Sequence, residues 1–182
     1  YRRPQKVKDF FAFIKVFKNP QFKAAAFKYF GHMWELYTFW AFVPLILGSF
    51  SLLHPGTEFN IPLLSFFIIG LGGLSCVVGG YISLKWGAKR TAATALFLSG
   101  LCCLLSPLIF FQGSGEVLVA FLIFWGLMVV ADSPLFSTLV AKNAAGESRG
   151  TALTIVNSIG FAITIISIQL ITYLLTVANP LY

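Results

Sequence analysis

Apolar residues run almost unbroken through five stretches of the chain, at about 24–50, 61–83, 91–111, 116–141 and 151–177. At ~1.5 Å per residue each can cross a hydrocarbon core of ~30 Å, so each predicts a transmembrane helix. Lipid admits only helices or closed barrels, and continuous apolar runs lack the alternation of a barrel strand. The expected fold class is therefore all-α, a polytopic transmembrane helix bundle. The polar interruptions are short: His54-Pro55-Gly56-Thr57, Lys85 to Arg90, Gln112-Gly113-Ser114-Gly115, and Asn143 to Gly150. They read as turns, and turns this short make successive helices antiparallel neighbours.

Ahead of the first span the pattern changes. Within residues 9–19, Phe10, Phe13, Ile14 and Phe17 recur at helical spacing while Lys8, Lys15 and Lys18 project from another side. This predicts a short amphipathic helix in the membrane interface, broken by Asn19-Pro20. Residues 1–23 are thus expected to form a basic cytoplasmic linker and residues 24–182 the transmembrane bundle. Gly70, Gly72, Gly73, Gly79 and Gly80, with Ser65 and Ser75, let another backbone approach the second span closely. Pro44, Pro107 and Pro134 predict bends in their spans.

Composition agrees with a chain that lives in lipid. Of its 182 residues 58% are hydrophobic and 10% charged, with a mean hydropathy of +0.85, whereas a soluble domain is about 25% charged. The net charge of +7 would suggest nucleic-acid binding in a soluble protein, but its placement argues otherwise. Eight of the 13 Lys and Arg residues precede or edge the first span (Arg2, Arg3, Lys6, Lys8, Lys15, Lys18, Lys23 and Lys28). Three lie between the second and third spans (Lys85, Lys89, Arg90) and two between the fourth and fifth (Lys142, Arg149). Threading the spans back and forth puts all of them on one side, and short loops rich in Lys and Arg stay cytoplasmic. The expected partners of this charge are anionic headgroups of the lipid bilayer, with no nucleic acid.

Cys76, Cys102 and Cys103 fall inside spans. They read as reduced apolar side chains, with neither a disulfide framework nor a metal-ligand spacing, so no metal and no cofactor is expected. The apolar run after the basic start is too long for a signal h-region, which predicts no cleaved signal. A chain beginning at Tyr1 is expected to be a piece of a longer one.

Two of the six acidic residues, Glu35 and Asp132, lie well inside spans. A carboxylate there costs at least ~2.5 kcal/mol on insertion scales, so it normally faces the bundle interior and marks a substrate or proton pathway. Glu35 lies roughly 17 Å along its helix from Ala24, and Asp132 roughly 14 Å from Ala141. Both starting points are cytoplasmic, so the two carboxylates sit at similar depth. His32 stands three residues before Glu35, on nearly the same face, and imidazole is the side chain suited to exchanging a proton at physiological pH. Two readings stand for the pair: proton coupling or substrate contact, or His32 simply satisfying Glu35. For Asp132, beside Ser133-Pro134, the readings are an ion or substrate site at a broken helix, or a packing role with hydrogen bonds from Ser133, Ser137 or another helix. Trp34, Tyr37, Phe39 and Trp40 crowd the first span as cavity-lining candidates or as interfacial anchors. Asn157 and Gln169 are polar amid Ile, Leu and Phe in the fifth span; both suit bonding between helices, and Asn157 is also a cavity-lining candidate. No nucleophile, metal cluster or phosphate loop accompanies these groups, so no catalytic residue is assigned. The remaining alternatives are a membrane-embedded enzyme and an accessory or structural membrane subunit.

The run Gly80-Tyr81-Ile82-Ser83-Leu84-Lys85-Trp86-Gly87-Ala88-Lys89-Arg90 resembles the G-x-x-x-D-R-x-G-R-R loop signature of the major facilitator superfamily. Gly80, Gly87, Lys89 and Arg90 fit, Lys85 stands for the arginine, and Leu84 and Ala88 replace an acidic and a basic residue. Glu147-Ser148-Arg149-Gly150-Thr151-Ala152 resembles the segment following the fourth helix of each six-helix half. Phe27 to Tyr37 is similar to the opening of the second half in a bacterial branch of the family. The resemblance implies a fragment of a secondary transporter: helices seven to eleven of a twelve-helix chain, five spanning helices of a six-helix half. It would move a small-molecule solute by alternating access, coupled to protons, across a bacterial inner membrane, in company with six preceding helices and a last one. It further implies that the first and fourth helices, bearing His32, Glu35 and Asp132, line the central cavity. The basic residues of the loops would then act at the cytoplasmic gate, where Leu84 removes the acidic partner.

Overall fold

The computed structural model describes residues 17–144 and 149–178. Along these residues run α1 (Pro20–Leu53), α2 (Ile61–Trp86), α3 (Ala88–Gln112), α4 (Gly115–Ala131), α5 (Ser133–Asn143) and α6 (Arg149–Ala178), with no strand among the described residues. Since α4 and α5 together make one apolar stretch, Gly115–Asn143, five stretches are long and apolar enough to span a membrane. The chain is an all-α polytopic bundle. Most of the amphipathic helix expected over residues 9–19 lies outside the described residues, as do Glu147 and Ser148 of the second loop motif.

Local sequence sets the helix boundaries. Asn19 accepts the Gln21 N–H at 2.9 Å and Pro20 opens α1. Asn60 accepts the Leu63 N–H at 3.2 Å ahead of Pro62. Side-chain caps and an early proline both suit a helix start, where backbone N–H groups have no partner within the helix. Between α2 and α3 the corner is a single residue, Gly87, at φ +83°, a conformation open to glycine at little cost. Of the three expected proline bends only Pro134 coincides with a break, at Asp132. Pro44 and Pro107 lie inside continuous helices.

Small residues decide which helices touch. Along α2 the buried positions are Ser65, Ile68, Gly72, Ser75 and Gly79, spaced alternately three and four residues apart, the seam of a left-handed crossing. A Cβ on Gly72 would sit 2.7 Å from a methyl of Val130, and one on Gly79 would sit 2.7 Å from the Ala131 carbonyl oxygen. From the other side, a Cβ on Gly126 would meet the Ile68 carbonyl oxygen at 2.9 Å. Backbones this close gain dispersion contacts that larger residues would forbid. Only part of the glycine-rich stretch is used, because Gly70, Gly73 and Gly80 face open space. On the far flank of α1, Gly160 of α6 fits against Tyr29 and Met33 in the same way.

The core forms two layers. One gathers Phe22, Ala26, Met33, Phe136, Val140 and Val156 with their neighbours. The other gathers Leu36, Val43, Leu47, Phe50, Ile68 and Leu122 with theirs. On α1 the first layer ends at Met33 and the second begins at Leu36. Every described basic residue lies toward the outer end of the first layer, at the start of α1, the α2–α3 corner, or the end of α5 and start of α6. Asn19 there donates to the Asn143 carbonyl at 3.3 Å, tying two of these ends together. Glu58 and Glu116 are exposed at the other end. Among the described residues, the exposed carboxylates thus lie at the end opposite the basic residues.

Candidate functional site

Polar side chains collect where the two core layers meet. The α4–α5 break forms because Pro134 has no N–H to give the Val130 carbonyl four residues back. That carbonyl instead accepts from the Asp132 N–H and from the Cys76 thiol of α2 at 3.6 Å, while the Asp132 carbonyl takes the N–H groups of Leu135 at 3.0 Å and Phe136 at 2.9 Å. The turn directs Asp132 and Ser133 at α1. His32 Nδ1 lies 2.9 Å from Asp132 Oδ1, an oxygen with no other partner. His32 Nε2 lies 2.9 Å from Ser133 Oγ. His32 and Asp132 are 2% and 1% exposed, and the imidazole is packed between Tyr29 and Phe136.

The geometry separates two residues that sequence spacing put together. Both ring nitrogens of His32 face α5 and the break before it, so His32 does not serve Glu35. Positions three apart on a helix differ by about 60° in direction, enough to aim these side chains at different neighbours. Glu35 turns to α3 and α4: Ser99 Oγ donates a short hydrogen bond to Oε1, and Trp125 Nε1 lies 3.5 Å from the same oxygen. Nor do Ser133 and Ser137 donate to Asp132. Ser133 goes to the imidazole, and Ser137 donates to the Ser133 carbonyl at 3.4 Å.

Beside Glu35 opens a cavity of about 850 Å³ between α1 and α3, completed by Trp125 of α4 and by Ile171 and Leu175 of α6. Trp34, Phe39, Phe42 and Phe97 contribute aromatic walls. Glu35 is the only charged residue in the lining. Of the other candidates, Trp34 lines this cavity. Tyr37 instead packs against Trp40 at 5.4 Å and Phe161 of α6 at 5.6 Å. Asn157 and Gln169 are exposed on α6 and do not line the cavity. Gly87 makes the α2–α3 corner, where Lys85, Lys89 and Arg90 are exposed, as is Arg149 at the start of α6.

Ser99 and Trp125 hold Glu35, yet sequence reasoning passed over both. Serine is common in membrane helices and carries little signal alone. Trp125 carried one that could have been read. It lies roughly 15 Å along the helix from Gly115, too deep for the interfacial belt where membrane tryptophans gather. Among the described residues no cluster of His, Cys, Asp and Glu suited to a metal is present. The family model of the Major Facilitator Superfamily matches residues 2–168. No curated protein and no solved structure matches the chain.

Proposed function

Starting from a chain that belongs to the major facilitator superfamily, and so to an integral membrane transport protein, we propose a secondary active transporter that moves a small solute by alternating access, with His32 and Asp132 as its proton-coupling pair. The observation that carries the reading is the buried contact of His32, Asp132 and Ser133 at the one helix break within a span among the described residues. With a neutral imidazole donating from Nδ1 and accepting from Ser133 at Nε2, the unit carries the carboxylate charge into an apolar layer. One added proton makes it imidazolium and carboxylate, with no net charge. Buried unpaired charge costs several kcal/mol, so the two proton states favour different packing around α5, an element freed from α4 by the break. This is the requirement for coupling, since a ligand shifts a conformational equilibrium only through its differential affinity for the two states.

Glu35, in the adjoining cavity, is assigned to the solute or to a second proton step. The end bearing Lys and Arg faces the cytoplasm under the positive-inside bias, and Lys85, Lys89 and Arg90 act at the gate on that side. Serine, imidazole and carboxylate also stand in the order of a nucleophilic triad. Here, however, the cavity is lined by Glu35 and not by Ser133, which favours transport over hydrolysis.

The test uses the full-length protein in proteoliposomes with a solute found by screening. Asp132→Asn is expected to abolish uptake driven by a pH gradient while retaining solute exchange at equal pH. Gradient-driven uptake unchanged in Asp132→Asn would remove the pair from coupling.

A further inference from the structure

We infer that the cavity at Glu35 takes a lipophilic monocation, an apolar and largely aromatic body bearing one positive charge. The inference rests on the transport reading for the purpose of the site but on the cavity alone for its chemistry. At about 850 Å³ the space lies within the ~300–1,000 Å³ typical of sites for drug-sized molecules. Its walls are the rings of Trp34, Phe39, Phe42, Phe97 and Trp125 with aliphatic side chains between them. Besides Glu35 and the two indoles, only Thr38 and Cys103 bring side-chain polar atoms to the lining. A sugar would leave its hydroxyls, and an amino acid its carboxylate, unpaired there, at ~1–3 kcal/mol or more for each. An anion would meet the carboxylate and nothing to offset it.

A cation meets complementary groups throughout. Ser99 and Trp125 both bond Oε1 of Glu35, which fixes the carboxylate while Oε2 has no hydrogen bond among the described residues. Aromatic faces attract a positive charge through their quadrupoles, most strongly when water is excluded. One carboxylate, oriented and half free, in an otherwise apolar and aromatic cleft therefore selects for one positive charge on an apolar frame. A wholly neutral apolar ligand would not use that charge, and a polar dication would leave one of its own charges unpaired.

The test compares two ions of nearly equal size and shape and opposite charge. Tetraphenylphosphonium and tetraphenylborate are each dialysed to equilibrium against the purified full-length protein in detergent. Tetraphenylphosphonium is expected to bind saturably and about tenfold or more tightly than tetraphenylborate, and Glu35→Gln to erase about that preference. Ser99→Ala, which frees the carboxylate without removing its charge, is expected to weaken binding less than Glu35→Gln. Equal binding of the two ions by the wild type overturns the inference without recourse to any variant, and so does a Glu35→Gln protein that keeps the preference. Uptake of a polar solute by a protein that does not bind tetraphenylphosphonium overturns this inference and leaves transport standing. Specific binding with no transport of the cation under any imposed gradient supports the site and counts against the transporter reading.

Discussion

Two Gly-Gly pairs in α2 provide a demanding test of the packing. Replacing Gly79 by Ala puts a methyl 2.7 Å from the Ala131 carbonyl oxygen, which falls about 0.7 Å short of the 3.4 Å of an ordinary contact. The obstacle is backbone, so no rotamer change relieves it and α2 must move away from α4. A gap of ~0.5–1 Å forfeits a quarter to a half of each dispersion well along the seam, and it stretches the Cys76 contact to Val130, already 3.6 Å long. Overpacking of this kind costs ~1–3 kcal/mol. Gly80→Ala meets nothing within 4 Å. Each substitution also gains ~1 kcal/mol of helix propensity, a term that cancels when the two are compared. Gly79→Ala is therefore expected to be about 1–3 kcal/mol less stable than Gly80→Ala, and Gly72→Ala less stable than Gly73→Ala in the same sense. Chemical unfolding in bicelles, followed by tryptophan fluorescence, measures the difference. A Gly79→Ala protein as stable as Gly80→Ala would refute the α2–α4 register described above.

Further expectations concern the buried pair and the corner. Truncating His32 or Asp132 alone leaves its partner buried at 2% exposure or less without its partner across the 2.9 Å contact, a loss of ~3–5 kcal/mol. A double-mutant cycle on the two should give a coupling well above the ~0.3–0.5 kcal/mol within which independent sites add, and additive losses would show that they do not interact. Gly87→Ala forces a Cβ into φ +83°, ψ 140°, a region held almost only by glycine, at ~1–3 kcal/mol, so it should lower the unfolding midpoint. An unchanged midpoint would argue against the one-residue corner.

Much of the architecture can be read without coordinates because lipid is a strict solvent. A run such as Ile61–Trp86 must close its own backbone hydrogen bonds, so its length and apolarity alone call for a spanning helix. Glu35 and Asp132 stand out for the same reason, as ionisable groups where burial is expensive. Pairing was not legible. His32 and Glu35 share a helix face by spacing, yet His32 meets Ser133, 101 residues away in sequence, and Glu35 meets Ser99, 64 away. Only Pro134 coincides with a helix break, at the Asp132 turn, while Pro44 and Pro107 lie inside continuous helices, a difference that proline alone does not mark in the sequence.

The chain by itself thus determined the helical class, the order of the spans and the side on which its basic residues gather. It also singled out the two carboxylates that lipid would exclude unless they were placed with care. Tertiary structure decided which glycines meet a neighbour, which residues hold each carboxylate, and that His32 belongs with Asp132 while Glu35 opens on a cavity. The division has one physical cause. Lipid tails are as apolar as a protein interior, so a helix such as α2 or α4 is hydrophobic all round and carries no stripe to mark its inner face. Which face turns inward is then settled by close fit between backbones and by a few polar contacts, and those depend on residues far apart in the chain.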